Sequence, residues 1–88
     1  MEKFKFTNWR NALWDETGEV DTSMYGDRTT EYGHEELFIR ITLKASKDSV
    51  VVFRHFLGGK LHEQEVRIYT DTMKMAQEIK KYIENLEK

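Results

Sequence analysis

The clearest pattern in the chain is a pair of β-rich runs that lead directly into a helix. The runs cover residues 50–57 and 60–70, and Gly58 and Gly59 separate them. Glycine adopts the positive φ angles that two-residue hairpin turns require, so this pair favours a tight turn. The pattern therefore predicts an antiparallel hairpin whose strands meet at the two glycines.

A two-residue turn also determines which side chains of the hairpin share a face, because side chains alternate along a strand. Counting outward from the turn pairs His55 with His62 and Arg54 with Glu63, and the opposite charges of Arg54 and Glu63 support this register. The first face of the predicted hairpin then carries Val51, Phe53, Val66 and Ile68. The second face carries Val50, Val52, Arg54, Phe56, Leu61, Glu63, Glu65, Arg67 and Tyr69.

The stretch after the hairpin has the spacing of an amphipathic helix, which we predict over residues 71–87. Thr70 or Asp71 provides the N-terminal cap, and neither glycine nor proline interrupts the stretch. An apolar stripe of this kind must be buried, and the first face of the hairpin is the nearest apolar surface. The stripe consists of Met75, Ile79, Tyr82 or Ile83, and Leu86.

Two earlier segments alternate between apolar and polar residues, as half-buried strands do. The N-terminal segment places Phe4 and Phe6 on one side of a short strand. Trp9 and Trp14 follow, and we expect these large side chains to anchor the N-terminal arm on the domain. The second segment covers residues 35–44 and alternates through Leu37, Ile39, Ile41 and Leu43.

The segment at residues 15–34 is polar and contains three of the five glycines. A structureless stretch of this length is unusual in a compact domain, so the segment is either a functional loop or contains short strands. We interpret it as a loop that presents Met24, Tyr25 and Tyr32 to a partner.

Together these elements predict one α+β domain that spans residues 1–88. Its antiparallel sheet has three to four strands in meander order, and one long C-terminal helix packs on one face. The expected parts are an N-terminal strand with the tryptophan arm at 1–14, a polar loop at 15–34, a three-strand meander at 35–70 and the helix at 71–87.

The composition excludes several classes of protein. The chain contains no cysteine, which excludes disulfides and zinc sites with thiolate ligands. The net charge of −2 argues against a dedicated polyanion binder but is compatible with a local basic patch. The sequence has neither an apolar run of membrane-span length nor the apolar core of a signal peptide. We therefore expect a cytoplasmic protein that does not associate with membranes.

The residue types that most often carry catalysis do not form a recognisable set. Ser23, Ser46 and Ser49 lie in polar segments without an adjacent histidine, and the glycine pair lacks the Lys-Ser/Thr of a phosphate-binding loop. Adjacent carboxylates such as Glu35 and Glu36 are expected by chance among 16 acidic residues. The sequence therefore predicts neither an enzymatic activity nor a cofactor.

The histidines allow one metal-binding interpretation. In the predicted register His55 faces His62, and two imidazoles across a strand pair can share a metal ion whose third ligand is His34 or Glu36. A half-buried pair that hydrogen-bonds to backbone or water is the commoner outcome. We therefore predict no metal site.

The second face of the hairpin carries the main functional prediction. Phe38 and Arg40 should join it, and interleaved aromatic and arginine side chains are typical of surfaces that stack bases and bind phosphates. Glu63 and Glu65 reduce the positive charge, so a protein partner is favoured and single-stranded nucleic acid is the alternative. The arm with Trp9 and Trp14 is a further candidate for covering this face, and so is a second copy of the chain, which would form a homodimer.

The predicted function is that of a small non-enzymatic binding module that acts through a protein partner. Stand-alone chains of this size without a catalytic set are typical of inhibitors and regulators with which phages and mobile elements block a host protein. Aromatic and arginine side chains contribute most of the binding energy at protein interfaces. The predicted partner-binding residues are Met24, Tyr25, Tyr32, Phe38, Arg40, Arg54, Phe56, Arg67 and Tyr69.

Overall fold

The computed structural model describes residues 2–11, 20–44 and 48–88, with side chains for 2–7, 21–44 and 48–88. In chain order its elements are β1 (Lys5–Asn11), β2 (Val20–Thr30), β3 (Gly33–Leu43), β4 (Ser49–Leu57), β5 (Lys60–Tyr69) and α1 (Thr72–Leu86). The strands form one antiparallel sheet in the order β1-β2-β3-β4-β5. The predicted α+β meander with a C-terminal helix is confirmed, but the described part of the sheet has five strands rather than three to four.

The additional strand is β2, which lies in the segment that we interpreted as a loop. It pairs with β3 along its whole length, from Val20 opposite Leu43 to Thr30 opposite Gly33. The buried side of β2 lacks an apolar side chain at Gly26 for a structural reason. The ring of Phe6 occupies this place, and a Cβ atom at position 26 would overlap it. Residues 12–19, with Trp14, and the side chain of Trp9 lie outside the described part, as do residues 45–47.

The core lies between α1 and one face of the sheet, which we call the inner face. Asp71 caps α1, since its side chain accepts hydrogen bonds from the backbone N–H groups of Met73 and Lys74. The ring of Tyr82 stacks on Phe53 with centroids 4.0 Å apart. The buried apolar residues are Phe4, Met24, Leu37, Ile39, Ile41, Val51, Phe53, Met75, Ile79 and Tyr82.

The hairpin of β4 and β5 contains a bulge that the sequence pattern does not reveal. Phe56 lies opposite Leu61 as predicted, but His55 lies opposite Glu63, so His62 is the extra residue. The predicted pairs His55–His62 and Arg54–Glu63 are therefore wrong, because counting from the turn assumes one residue opposite one residue. Every side chain of β5 beyond His62 is consequently on the opposite face from the one predicted.

The bulge places Arg67 and Tyr69 on the inner face and Val66 and Ile68 on the other. Arg67 then lies over the rings of Phe53 and Tyr82, with its guanidinium carbon 5.3 and 5.4 Å from their centroids. It also bonds both carboxylate oxygens of Glu65 at 3.1 Å and lies 3.6 Å from Glu78 of α1. Arg67 thus connects the edge strand to the helix.

Candidate functional site: the outer sheet face

The face of the sheet that points away from α1, which we call the outer face, is the main candidate site. Its side chains are the alternate residues of β2 to β5 that do not contribute to the core. The buried residues of α1 pack against the opposite, inner face. The outer-face residues include Asp21, Tyr25, Asp27, His34, Glu36, Phe38, Arg40, Val50, Val52, Arg54, Phe56, Leu61, Val66 and Ile68.

An aromatic row crosses three neighbouring strands of the outer face. Tyr25 lies opposite Phe38 with ring centroids 4.8 Å apart, and Phe38 meets Phe56 edge-on at 5.5 Å. The Tyr25 hydroxyl donates a hydrogen bond of 2.8 Å to Glu36, and this bond, with burial, raises the pKa of Tyr25 to about 12. The row is therefore held in a fixed arrangement, although 40% of Phe38 is exposed.

An aliphatic patch occupies the β4–β5 half of the outer face. Val52 lies opposite Val66, and Val50 lies opposite Ile68. Val66 and Ile68 are 56% and 69% exposed, which is unusual for apolar residues at neighbouring same-face positions of one strand. Leu61 and Phe56 form a further apolar pair at the turn end, and the pair Arg54–Gln64 separates it from the patch. Val66 and Ile68 were predicted to lie on the buried face, because the sequence pattern does not reveal the bulge.

The charges of the outer face nearly balance. Arg40 forms an ion pair with Asp21 at 2.7 Å, whereas Arg54, in the middle of β4, is exposed. His34 lies 3.9 Å from Asp27 and 4.0 Å from Glu36, so the end of the face next to the β2–β3 turn is acidic. The surface therefore combines apolar contact area with mixed charge.

The predicted partner-binding residues do not all lie on this face. Tyr25, Phe38, Arg40, Arg54 and Phe56 do.

The remaining predicted residues lie elsewhere. Met24 is only 7% exposed and belongs to the core, and Tyr32 is 92% exposed at the β2–β3 turn. Arg67 and Tyr69 lie on the inner face, where the bulge places them. The outer face therefore lacks two of the residues that favoured base stacking and phosphate binding.

A buried polar cluster lies under the C-terminal end of α1. Arg28 donates to Glu35, to the backbone carbonyl of Leu86 at 2.8 Å and to that of Glu2 at 2.8 Å. The Nε2 atom of His55 lies 2.9 Å from the other oxygen of Glu35. Burial raises the pKa of Glu35, but the hydrogen bonds from Arg28 and His55 outweigh burial, and the net shift is downward. Nothing in the sequence pattern indicated this cluster.

A cleft of about 550 Å³ opens beside this cluster, between Tyr32 and Leu57. Arg28 and Glu35 at its base bind one another, and Arg28 also binds the backbone carbonyls of Glu2 and Leu86, so these polar atoms stabilise the fold. Within the described ranges there is no group of three or more His, Asp or Glu side chains arranged to hold a metal ion. The rings of His55 and His62 are 5.5 Å apart, but His55 is bonded to Glu35.

No helix in the described part of the chain has the length and apolar character needed to cross a membrane. Comparison with protein-family models, with curated proteins and with solved structures gives no significant match. The function must therefore be inferred from the outer face itself.

Proposed function

We propose that the protein is a non-enzymatic binding module that recognises a partner protein through its outer sheet face. The observation that carries this proposal is the presence of two exposed apolar groups on one face, the aromatic row and the aliphatic patch, on either side of the Arg54–Gln64 pair. Folded monomers rarely expose a contiguous apolar patch of more than a few hundred Å², and such patches commonly bind other molecules. A cytoplasmic location belongs to the same proposal and is supported by the lack of cysteine.

The chemistry of the face supports a protein partner over a single-stranded nucleic acid. A nucleic-acid platform needs several cations available to phosphates. Here Arg40 is paired with Asp21, and Arg67 lies on the inner face. Glu36 lies beside the aromatic row and would repel a phosphate backbone. Apolar side chains around the exposed Arg54 instead have the composition of a protein interface core.

The partner expected from this face presents an apolar surface and a carboxylate. Aromatic side chains at the centre of an interface contribute most of its energy, so Phe38 and Phe56 are the expected anchors. Arg54 lies opposite Phe38 on the neighbouring strand, where a partner carboxylate could pair with it.

The experiment compares wild-type protein with Phe38→Lys, and uses Lys81→Glu on the exposed side of α1 as the control. A protein that co-purifies with the wild type is identified, produced separately and titrated against all three chains. We expect Phe38→Lys to weaken binding at least about tenfold and Lys81→Glu to leave it unchanged. Equal affinities for wild type and Phe38→Lys would overturn the proposal.

A further inference from the structure

The free edge of β5 is a second interaction surface, distinct from the outer face. β5 is the terminal strand of the sheet and pairs only with β4 in the described structure. Its ladder with β4 is regular beyond the bulge, from Glu63 to Tyr69. Natural proteins protect a free edge with proline, bulges, very short strands or charged side chains, and of these β5 has a bulge and the inner-face charges of Glu63, Glu65 and Arg67. β5 has no proline, and its bulge lies at the turn end.

We infer that β5 pairs with β5 of a second copy of the chain, in antiparallel register centred on Val66. A two-fold axis perpendicular to the sheet relates the copies and passes beside Val66 of each. A residue a given number of positions before Val66 therefore lies opposite the residue the same number of positions after Val66 in the other copy. In this register Val66 lies opposite Val66 of the partner copy. Glu65 then lies opposite the partner copy's Arg67, and Arg67 lies opposite its Glu65, which gives two opposite-charge cross-strand pairs.

The neighbouring registers are less favourable. Residues that lie opposite each other must point to the same face of the sheet, so the two-fold axis of the dimer must pass beside a residue and not between two residues. A centre at Glu65 places Glu65 against its own copy, and a centre at Arg67 places two arginines together, and both arrangements oppose like charges. A centre at Gln64 places Glu63 opposite Glu65. The charge sequence of β5 therefore favours pairing with itself at Val66.

The exposed side chains support the same arrangement. Val66 and Ile68 are 56% and 69% exposed in the single chain, and pairing would bury part of both against the second β5. Glu65 and Arg67 already bond within one chain at 3.1 Å. The two cross-strand pairs between the copies would join these bonds into a network of alternating charges on the inner face. A foreign strand without this order of charges would not form the two cross-strand pairs between copies, which favours self-pairing over unspecific pairing.

This inference goes beyond the proposed partner binding, since it concerns the edge rather than the centre of the outer face. Pairing would place the aliphatic patches of the two copies side by side in one continuous sheet.

Single-cysteine variants test the register, because the chain has no cysteine of its own. In the proposed dimer the Cβ atoms at position 66 are about 4.5–5.5 Å apart, close to the separation that a disulfide bridges. Position 64 of one copy lies opposite position 68 of the other, roughly 14 Å along the strand from its own equivalent. We therefore expect Val66→Cys to form a disulfide-linked dimer on mild oxidation and Gln64→Cys, the matched control on the same face, to remain monomeric.

A charge-complementation experiment provides a second measurement. Val66→Lys and Val66→Glu each place like charges on the two-fold axis and should be monomeric in native mass spectrometry, and their equimolar mixture should form a mixed dimer. Wild-type protein that stays monomeric by analytical ultracentrifugation up to about 1 mM would overturn the inference. Equal disulfide yields for Val66→Cys and Gln64→Cys would also overturn it, as would a dimer that Phe38→Lys disrupts and Val66→Lys does not.

Discussion

Val66 lies directly opposite Val52 across β4 and β5, and both side chains point away from α1. This pair exists because His62 is an extra residue in β5, so Glu63 takes the position opposite His55 that an uninterrupted hairpin would give to His62. The bulge decides which side chains of the edge strand are exposed.

Deletion of His62 is expected to preserve the fold and to keep Val66 opposite Val52. Removing the extra residue leaves Phe56 opposite Leu61 and His55 opposite Glu63, so the hairpin becomes regular without a change of face. We expect the melting temperature to change by only a few degrees and the cross-strand NOE between Val52 and Val66 to persist.

Deletion of Gln64 is the matched comparison for this experiment. It also removes one residue and can keep Val66 opposite Val52, but it places His62 opposite His55 and moves Glu63 to the outer face, so we expect a larger loss of stability than for deletion of His62. A Val52–Val66 NOE that disappears when His62 is deleted would contradict the observed register.

Ile79→Asp is expected to abolish cooperative unfolding. Ile79 is buried in the α1 stripe against the inner face, and a buried carboxylate without a partner costs several kcal/mol. This cost is comparable with the whole stability of a small domain. Thermal and urea denaturation followed by circular dichroism measure the effect. Lys80→Asp on the exposed side of α1 should unfold cooperatively, and an unchanged melting temperature for Ile79→Asp would mean that α1 does not pack on the sheet.

The sequence predicted those elements whose buried side is continuously apolar. β3 alternates without interruption through Leu37, Ile39 and Ile41, and the stripe of α1 has the same clarity, so both were recognised with nearly correct ends. β2 was not recognised as a strand, because its inner-face residues include Thr22, Gly26 and Arg28. Two of these positions are completed by residues from other strands: the ring of Phe6 packs over Gly26, and Glu35 pairs with Arg28. A single sequence does not show such contacts.

The candidate site was predicted only in part for a similar reason. Phe38, Arg54 and Phe56 share a face because β3 and β4 are regular, and their strict alternation was sufficient to place them. The β5 contribution depends on one bulge, and either register of β5 puts Val66 and Ile68 on one face and Glu65 and Arg67 on the other. The packing of Arg67 over Phe53 and Tyr82 supports the observed register, and that contact involves residues far apart in sequence.

Acidification is expected to destabilise the protein through Glu35. The hydrogen bonds from Arg28 and His55 hold the pKa of Glu35 below its ordinary value of 4.5, against the effect of burial. Because the folded pKa is lower than the unfolded one, ionised Glu35 stabilises the fold above pH 4.5, and this contribution is lost as the pH falls through the lowered pKa. The free energy of unfolding from urea titrations between neutral and acidic pH measures this loss.

Glu35→Gln provides the comparison for the pH experiment. It leaves the buried Arg28 without its carboxylate, so we expect a loss of about 3–5 kcal/mol at neutral pH and a weaker pH dependence. Glu84→Gln, at an exposed position of α1, should reproduce the wild-type curve. Parallel curves for wild type and Glu35→Gln would show that Glu35 does not contribute to the acid sensitivity.

The aromatic row distinguishes the two classes of partner. If the outer face bound single-stranded nucleic acid, Phe38→Ala and Phe56→Ala would each weaken that binding by about 1–3 kcal/mol through lost base stacking. Arg54→Ala would also reduce the salt dependence of binding. For a protein-binding face we expect instead that an oligonucleotide added at physiological salt shifts no amide resonance of β3 or β4.

The same substitutions should weaken binding of the identified protein partner while leaving the fold intact, because Phe38 is already 40% exposed. Leu57→Ala is the matched control, since Leu57 is an exposed apolar residue on the other side of the sheet. Resonances of Phe38, Arg54 and Phe56 that move together on oligonucleotide addition, and remain fixed in Phe38→Ala, would establish the nucleic-acid alternative. Partner affinity that falls equally for Leu57→Ala and Phe38→Ala would show that binding does not depend on the outer face, since Leu57 and Phe38 lie on opposite sides of the sheet.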